Sequence, residues 1–356
     1  MSSWREQFRD VMSAGKKPTA DFTMYSATDL TVGSYIPYGV PCGIPQLDLA
    51  LGRPGWPAGR MGEISGFEHT GKTSLVLAAA GAMQRAGGHV VWVDAERAFS
   101  PEWAAVNGAD PNAIDLAEAD TIEGIFACIE KTLESYAKLD EGRPPLLIGV
   151  DSVTSVPSTE MFEKAFGEVQ RIGTDARAIR VGMRKINSKI AASKAVVLFI
   201  NHSVANPASP FNPSVSAGGH ALKFNAALRI QLARHKNVQE EQDDVKVYRG
   251  MEVGITVEKN RIGKTSTRKF SCFLLENGFD LHENLFDAFQ RIDVLEKVNN
   301  RTYLFKPTGT KLSRGEWKTF LDEQSKGVHE SYRWFLQRAA ELGEIVNYGG
   351  EVHRSQ

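Results

Sequence analysis

Along residues 41–280, short apolar runs alternate with longer stretches of helix-forming residues, and the two periods separate strands from helices. "GRMGEISG" (59–66), "HVVWVDAE" (89–96), "PLLIGVDS" (145–152) and "AVVLFINH" (195–202) are apolar in the middle and polar at the C-terminal end. Strands buried on both faces of a parallel sheet read this way, and such sheets gather ligands at their strand C-termini. "TSLVLAAAGAMQRA", after the first run, is rich in strong helix formers and stops at Gly87-Gly88. After residue 227 the texture changes: "ALRIQLARH", "MEVGITVEKNR" and "RKFSCFLLENG" predict antiparallel strands. From about 281, "LHENLFDAFQRIDVLEKV" and "ESYRWFLQRAAELGEI" read as helices and "RTYLFKPTGTKL" as a hairpin. At the other end, residues 1–16 alternate charge with Trp4, Phe8, Val11 and Met12. That predicts a short amphipathic helix, either folded back on its own domain or reaching a neighbouring protomer. The pattern as a whole predicts an α/β protein in three parts: an N-terminal helix and arm (1–40), a core with a mixed, mainly parallel sheet (41–280), and a small C-terminal α/β domain (281–356).

Composition narrows the classes. The 356 residues are 42% hydrophobic and 24% charged, enough for a sizeable core. Lys+Arg number 42 and Asp+Glu 43, so any nucleic-acid site has to be a local basic patch. Cys42, Cys128 and Cys272 lie far apart and suit neither a disulfide framework nor a metal site, which fits a reducing cytoplasm. The N-terminus lacks the apolar core of a signal peptide, and no stretch is long and apolar enough to span a membrane. A cytoplasmic protein is expected.

The chemistry starts at "GFEHTGKTS", Gly66, Phe67, Glu68, His69, Thr70, Gly71, Lys72, Thr73 and Ser74. G-x-x-x-x-G-K-[ST] between a strand and a helix is a phosphate loop. Its backbone N–H groups and the positive end of the helix bind phosphate oxygens, Lys72 reaches the β- and γ-phosphates, and the Thr73 hydroxyl sits on Mg²⁺. ATP and Mg²⁺ are the expected cofactors. Asp151, ending an apolar strand, suits the acid that holds the metal through water; it could also cap the next helix. Glu96, in "VDAER", suits a carboxylate that polarises attacking water. Asp94 competes for that role, though it belongs one step inside the strand. Ser100 and Trp103 follow closely and are expected at the cofactor site; the indole could stack on a purine or fill the core. His69 reads as an exposed spacer.

With those motifs in hand, the chain resembles the RecA family of homologous-recombination proteins over about residues 40–280. "GIPQLDLALG", "GFEHTGKTS", "VDAERAF", "LLIGVDS", "FINH", "GGHALKF" and "VEKNR" stand in the family's order and roughly its spacing. His202 in "FINH" and Arg261 in "VEKNR" favour the phage UvsX type, since bacterial members typically have glutamine and lysine there. The chain also lacks a long acidic C-terminal tail. The resemblance implies a RecA-like ATPase core and a DNA-dependent ATPase. Glu96 would be the catalytic glutamate and His202 the γ-phosphate sensor. Lys259 and Arg261 would reach into a neighbouring protomer's ATP site. Lys223, Phe224 and Arg229 would lie at the protomer interface.

The resemblance also implies two DNA loops, about 158–174 and 203–219, and neither segment reads as regular structure. Between them, residues 164–194 carry eight lysines and arginines against two acids. Ile179, Met183, Ile186 and Ile190 share one helical face, and Arg177, Arg180 and Arg184 share another. Arg171, Arg177 and Arg184 would contact DNA phosphates, and Gly218 and Gly219, at the end of the second loop, would also belong to the DNA-binding site. Ile172 and Phe211 could wedge between bases or simply pack their loops. In the C-terminal domain, Lys306, Lys311, Arg314 and Lys318 interleave with Tyr303, Phe305 and Trp317. That suits duplex capture, or surface lysines over a small aromatic core.

These features predict a strand-exchange recombinase that forms a helical filament on single-stranded DNA and pairs it with homologous duplex DNA. Single-strand-binding and mediator proteins would be further partners, the gene would be phage-borne, and the site of action would be the host cytoplasm. A ring-forming helicase or branch-migration ATPase shares the loop, Asp151 and a trans cation. A nucleotide-switched scaffold without DNA is the third reading.

Overall fold

The computed structural model describes residues 36, 38–139, 142–164, 173–205, 214–216, 220–242, 245–263, 268–324 and 327–346. The chain enters through β1 (Gly39–Val40), a Pro-started helix α1 (Pro45–Leu51) and β2 (Trp56–Pro57). β3 (Arg60–Gly66) then runs into the phosphate loop and α2 (Lys72–Arg85). β4 (His89–Asp94), α3 (Pro101–Val106), β5 (Ile114–Glu118) and α4 (Ile122–Ala137) follow. Next come β6 (Leu146–Asp151), a single turn α5 (Thr159–Phe162), the basic helix α6 (Thr174–Ser193) and β7 (Val196–Ala205).

β8 (Ser214–Ser216) folds back antiparallel on the end of β7, pairing Ser203 with Ser216. The second predicted loop therefore contains a strand, and the first contains a helical turn. A short α7 (Ala221–Asn225) leads into the long strands β9 (Leu228–Gln242) and β10 (Val245–Asn260), then β11 (Arg268–Leu275) and β12 (Gly278–Phe279). The remainder holds α8 (Leu281–Arg291), β13 (Leu295–Lys297), β14 (Tyr303–Phe305), β15 (Thr310–Leu312), α9 (Trp317–Gln324) and α10 (Val328–Glu341).

The main sheet has the order β12-β11-β10-β9-β3-β7-β6-β4-β5. It is parallel from β9 to β5 and antiparallel from β9 to β12, as the change of texture after residue 227 predicts. Apolar clusters fill both faces. One packs α2, Trp56 and Trp92 against the sheet; the other packs α4 and α6. In α6 the four predicted core residues, Ile179, Met183, Ile186 and Ile190, are all buried.

A third cluster belongs to the C-terminal segment and recruits Leu49 from α1. Tyr332 donates its hydroxyl hydrogen to the buried Asp48, and Val346 N donates to Gly52 O at 2.9 Å. Tyr303, Phe305 and Trp317 lie inside this cluster. Lys306 pairs with Asp293 and Glu296, and Arg314 with Glu283 and Asp287. The basic-aromatic interleaving of this segment therefore separates into a core and paired surface charge; Lys311 and Lys318 remain exposed.

Candidate nucleotide site and basic surfaces

β3 and β7 run in register, with Gly66 beside His202, and β4 and β6 with Asp94 beside Asp151. Four strand ends thus converge on one rim. The phosphate loop spans it, and Gly71 holds the turn at φ 88°, a left-handed backbone that a side chain disfavours. Thr70 Oγ1 and Lys72 Nζ both donate to Phe67 O, at 2.9 and 2.7 Å, which ties the loop's two halves together. Burial lowers the Lys72 pKa, and Asp151 and Glu96 partly oppose that shift.

Thr73 Oγ1 donates to Asp151 Oδ2 at 2.8 Å. Burial pushes Asp151 up to about 6 despite that bond, with Glu96 and Asp94 adding repulsion. A buried carboxylate crowded by acids beside a hydroxyl fits a hard cation such as Mg²⁺. Among the described residues no three His, Cys, Asp or Glu side chains cluster as a metal cage, so the fit is to an ion held by Thr73, Asp151 and phosphate rather than by protein alone.

Glu96 Oε1 lies 2.8 Å from His202 Nε2. That hydrogen bond is the main cause holding the Glu96 carboxyl below its usual range, against the opposing effect of burial. Asp94 is structural: it is buried and accepts from Glu96 N at 3.2 Å and Phe99 N at 2.9 Å, fixing the turn that presents Glu96. Trp103 is half-buried, packs against the core and donates its indole N–H to Ser74 Oγ at 3.2 Å. Ser100 is the N-cap of α3, accepting from Trp103 N at 3.0 Å, and does not line the cavity. Its hydroxyl is occupied by the helix end, which explains the departure from the expected cofactor role. His69 sits exposed on the loop at φ 55°, as a spacer would.

The loop from residue 68 to 74, with Glu96, Trp103, Asp151 and His202, lines one open cavity of about 670 Å³. Its far wall was not foreseen in the sequence: Arg234, Tyr248, Gly250, Met251, Leu274, Leu275 and Glu276, from β9, β10 and the end of β11.

Beneath the rim runs a buried polar chain. Asn201 donates to Glu63 Oε1 at 2.8 Å, and Thr154 donates to Asn201 Oδ1 at 3.2 Å. Arg229 bonds Glu63 at 2.5 Å and Glu258 at 2.8 Å. Arg229, expected at a protomer interface, is buried inside its own chain, because Glu63 in the adjacent β3 supplies its counter-charge. The signal for this network was the charge of Glu63 in mid-strand, between Met61-Gly62 and Ile64. Phe224 is 65% exposed and Lys223 is also exposed, so an apolar ring is open to a partner on that face. Lys259 Nζ donates to Lys223 O at 2.8 Å and Phe224 O at 3.0 Å. Burial, then Arg261 and Arg229, push Lys259 down to about 8.

Arg177, Arg180 and Arg184 lie exposed along α6, and none has an acidic partner among the described residues. Lys189 is taken up by Glu130 and Glu134 of α4. Arg184 also reaches a second cleft of about 470 Å³, shared with Arg60, Asn187, Asn225 and Arg261 at the N-terminal end of β3. Arg171, Ile172, Phe211, Gly218 and Gly219 lie outside the described residues, as does the N-terminal arm before residue 36.

Strand order, loop and paired acids define a phosphate-loop nucleotide-binding protein of the parallel α/β class. Residues 34–276 match the RecA N-terminal domain family, and the chain belongs to the RecA family. Protein RecA of Francisella philomiragia is 29% identical over 301 residues, covering 84% of this chain and 79% of that protein. Protein RecA of Francisella tularensis subsp. novicida is 30% identical over 301 residues, covering 84% and 80%.

Proposed function

We propose that the protein is a DNA-dependent ATPase that exchanges DNA strands, assembling head to tail as a helical filament on single-stranded DNA and pairing it with a homologous duplex. The observation that carries this reading is the Glu96–His202 hydrogen bond. It joins a carboxylate suited to activating water to the strand that leads into the second DNA loop.

Lys72 and the loop's N–H groups hold the phosphates. Mg²⁺, when bound, neutralises phosphate charge beside Thr73 and Asp151. Glu96, kept ionised by its bond to His202, accepts the proton of the attacking water. Losing the γ-phosphate changes what His202 bonds to, so the end of β7 can shift and loosen the DNA loop. Arg177 and Arg184 supply sequence-independent phosphate grip, which suits exchange because base pairing does the reading. Lys259 and Arg261 act in trans on the next chain's nucleotide. Single-strand-binding and mediator proteins would be partners, and His202 and Arg261 support the phage type within the family.

The test is ATP hydrolysis with and without single-stranded DNA at two salt concentrations, for the wild type and Lys72→Ala. We expect strong stimulation that weakens with salt and that Lys72→Ala abolishes. Hydrolysis indifferent to DNA would overturn the proposal.

A further inference from the structure

Lys259 and Arg261 belong to "EKNRIG" (258–263), where β10 ends in a turn, and that turn rests on the end of α1. A helix leaves its last carbonyls without partners of its own. At the end of α1, two distant parts of the chain supply them. Asn260 Nδ2 donates to Leu51 O at 3.0 Å, and Val346 N donates to Gly52 O at 2.9 Å. Asn260 is buried, and its Oδ1 accepts from Ile262 N at 3.0 Å and from Gly263 N at 3.1 Å. Gly263 permits the close approach: a Cβ there would stand 2.1 Å from Leu51 O.

Arg53 closes the contact. Gly52 ends α1 in the left-handed region at φ 68°, and Pro54 restricts the backbone of the residue before it, so Arg53 leaves the helix in a set direction. Its Nε donates to Ile262 O, a hydrogen bond whose donor is charged. Ile262 itself packs against the main apolar cluster. The backbone around Arg261 is thus gripped on both sides, since Arg261 N donates to Ala227 O at 3.0 Å and the next carbonyl is taken by Arg53. The Arg261 side chain stays exposed and pairs with no acid among the described residues. A fixed backbone under an unneutralised charge is what a group needs when its target lies outside its own chain. Arg53 lines neither the nucleotide cavity nor the arginine cleft, so any effect it has on chemistry passes through the turn.

We propose that Arg53 is a positioning residue for hydrolysis in trans: it locks the Asn260–Gly263 turn to the end of α1 and so aims Arg261 at the nucleotide of the next chain. The proposal rests on the trans role given to Lys259 and Arg261 above and adds the side chain that sets its geometry.

Mixed arrays on single-stranded DNA test it. Glu96→Gln hydrolyses poorly but still offers its arginine to a neighbour; Arg261→Ala keeps Glu96 but offers none. Equimolar mixing of these two should raise ATP hydrolysis above the sum of the separate rates. Arg53→Ala alone should lose about tenfold in kcat with KM little changed, a modest cost for a misaimed group. Mixing should rescue it with Glu96→Gln and not with Arg261→Ala, whereas a chain damaged in its own site would not follow that pattern. Gly263→Ala, which pushes the turn off Leu51 O, should fall in the same class, and Arg53→Lys should recover part of the loss by keeping a charged donor. A wild-type rate in Arg53→Ala, rescue by Arg261→Ala, or no rescue by Glu96→Gln where Arg261→Ala is rescued, overturns the positioning role and leaves the trans reading standing. If Arg261→Ala is as active as the wild type, or Glu96→Gln does not rescue it, the trans reading falls and the positioning role with it.

Discussion

Glu96 and His202 show how a single hydrogen bond can carry two duties. On the proposed reading Glu96 has to be ionised to act as a base, and the bond to His202 that favours its ionised form would also sense the phosphate side of the cavity. Replacing Glu96 with Gln keeps the shape and removes the base. Turnover of Glu96→Gln should fall by about 10²–10⁴, with ATP affinity largely retained, as a steady-state assay paired with calorimetry would show. At this scale the sequence was most legible where chemistry demands particular residues at fixed spacing. The phosphate loop, Asp151 and Glu96 were of that kind. Arg229 and Ser100 were not, because a charge in a strand or a serine before a helix looks the same whether it meets a ligand or its own backbone. The far wall of the cavity was invisible for another reason: Arg234 and Tyr248 are 14 positions apart on different strands and come together only where β9 pairs with β10.

Among the described elements, α1 packs into two cores. Its Leu49 packs into the C-terminal cluster and its Asp48 takes the Tyr332 hydroxyl. Asp48 is wholly buried, and burial raises it to about 7, with the bonds from Tyr332 and Cys42 opposing. The raised value sets the sign. The folded chain favours the protonated acid, so its contribution is intact below the ordinary carboxylate value near 4 and is lost as pH rises through about 7. Asp48→Asn removes the ionisation. Thermal melts between pH 5 and 8 should show the wild type losing, relative to this variant, on the order of 5 °C. The elements themselves were largely legible, since buried strands are apolar runs and α6 shows its core face every three or four residues. Strand β8 was not: "SVS" has no apolar pattern of its own and is a strand only because β7 offers an edge.

For the whole molecule, net charge is nearly zero, and the basic face of α6 is a local excess. Single-strand affinity should fall with salt. Removing both Arg177 and Arg184 should lessen the slope of log affinity against log salt by about 1.4, read from binding isotherms at several salt concentrations. Lys189→Ala should leave the slope alone, because Glu130 and Glu134 already neutralise that lysine. The central strand β3 carries the nucleotide cavity at one end and the arginine cleft at the other, roughly 20 Å apart along its seven residues. Chains stacked so that one chain's cleft covers the next chain's cavity make an open array with two unlike tips. An array of n chains then holds n−1 completed sites. The chain at one tip keeps a nucleotide with no foreign arginine over it and is a poor hydrolyser. In such an array specific activity should therefore climb with length and level off, a dimer turning over at about half the per-chain rate of a long array and a lone chain being nearly idle.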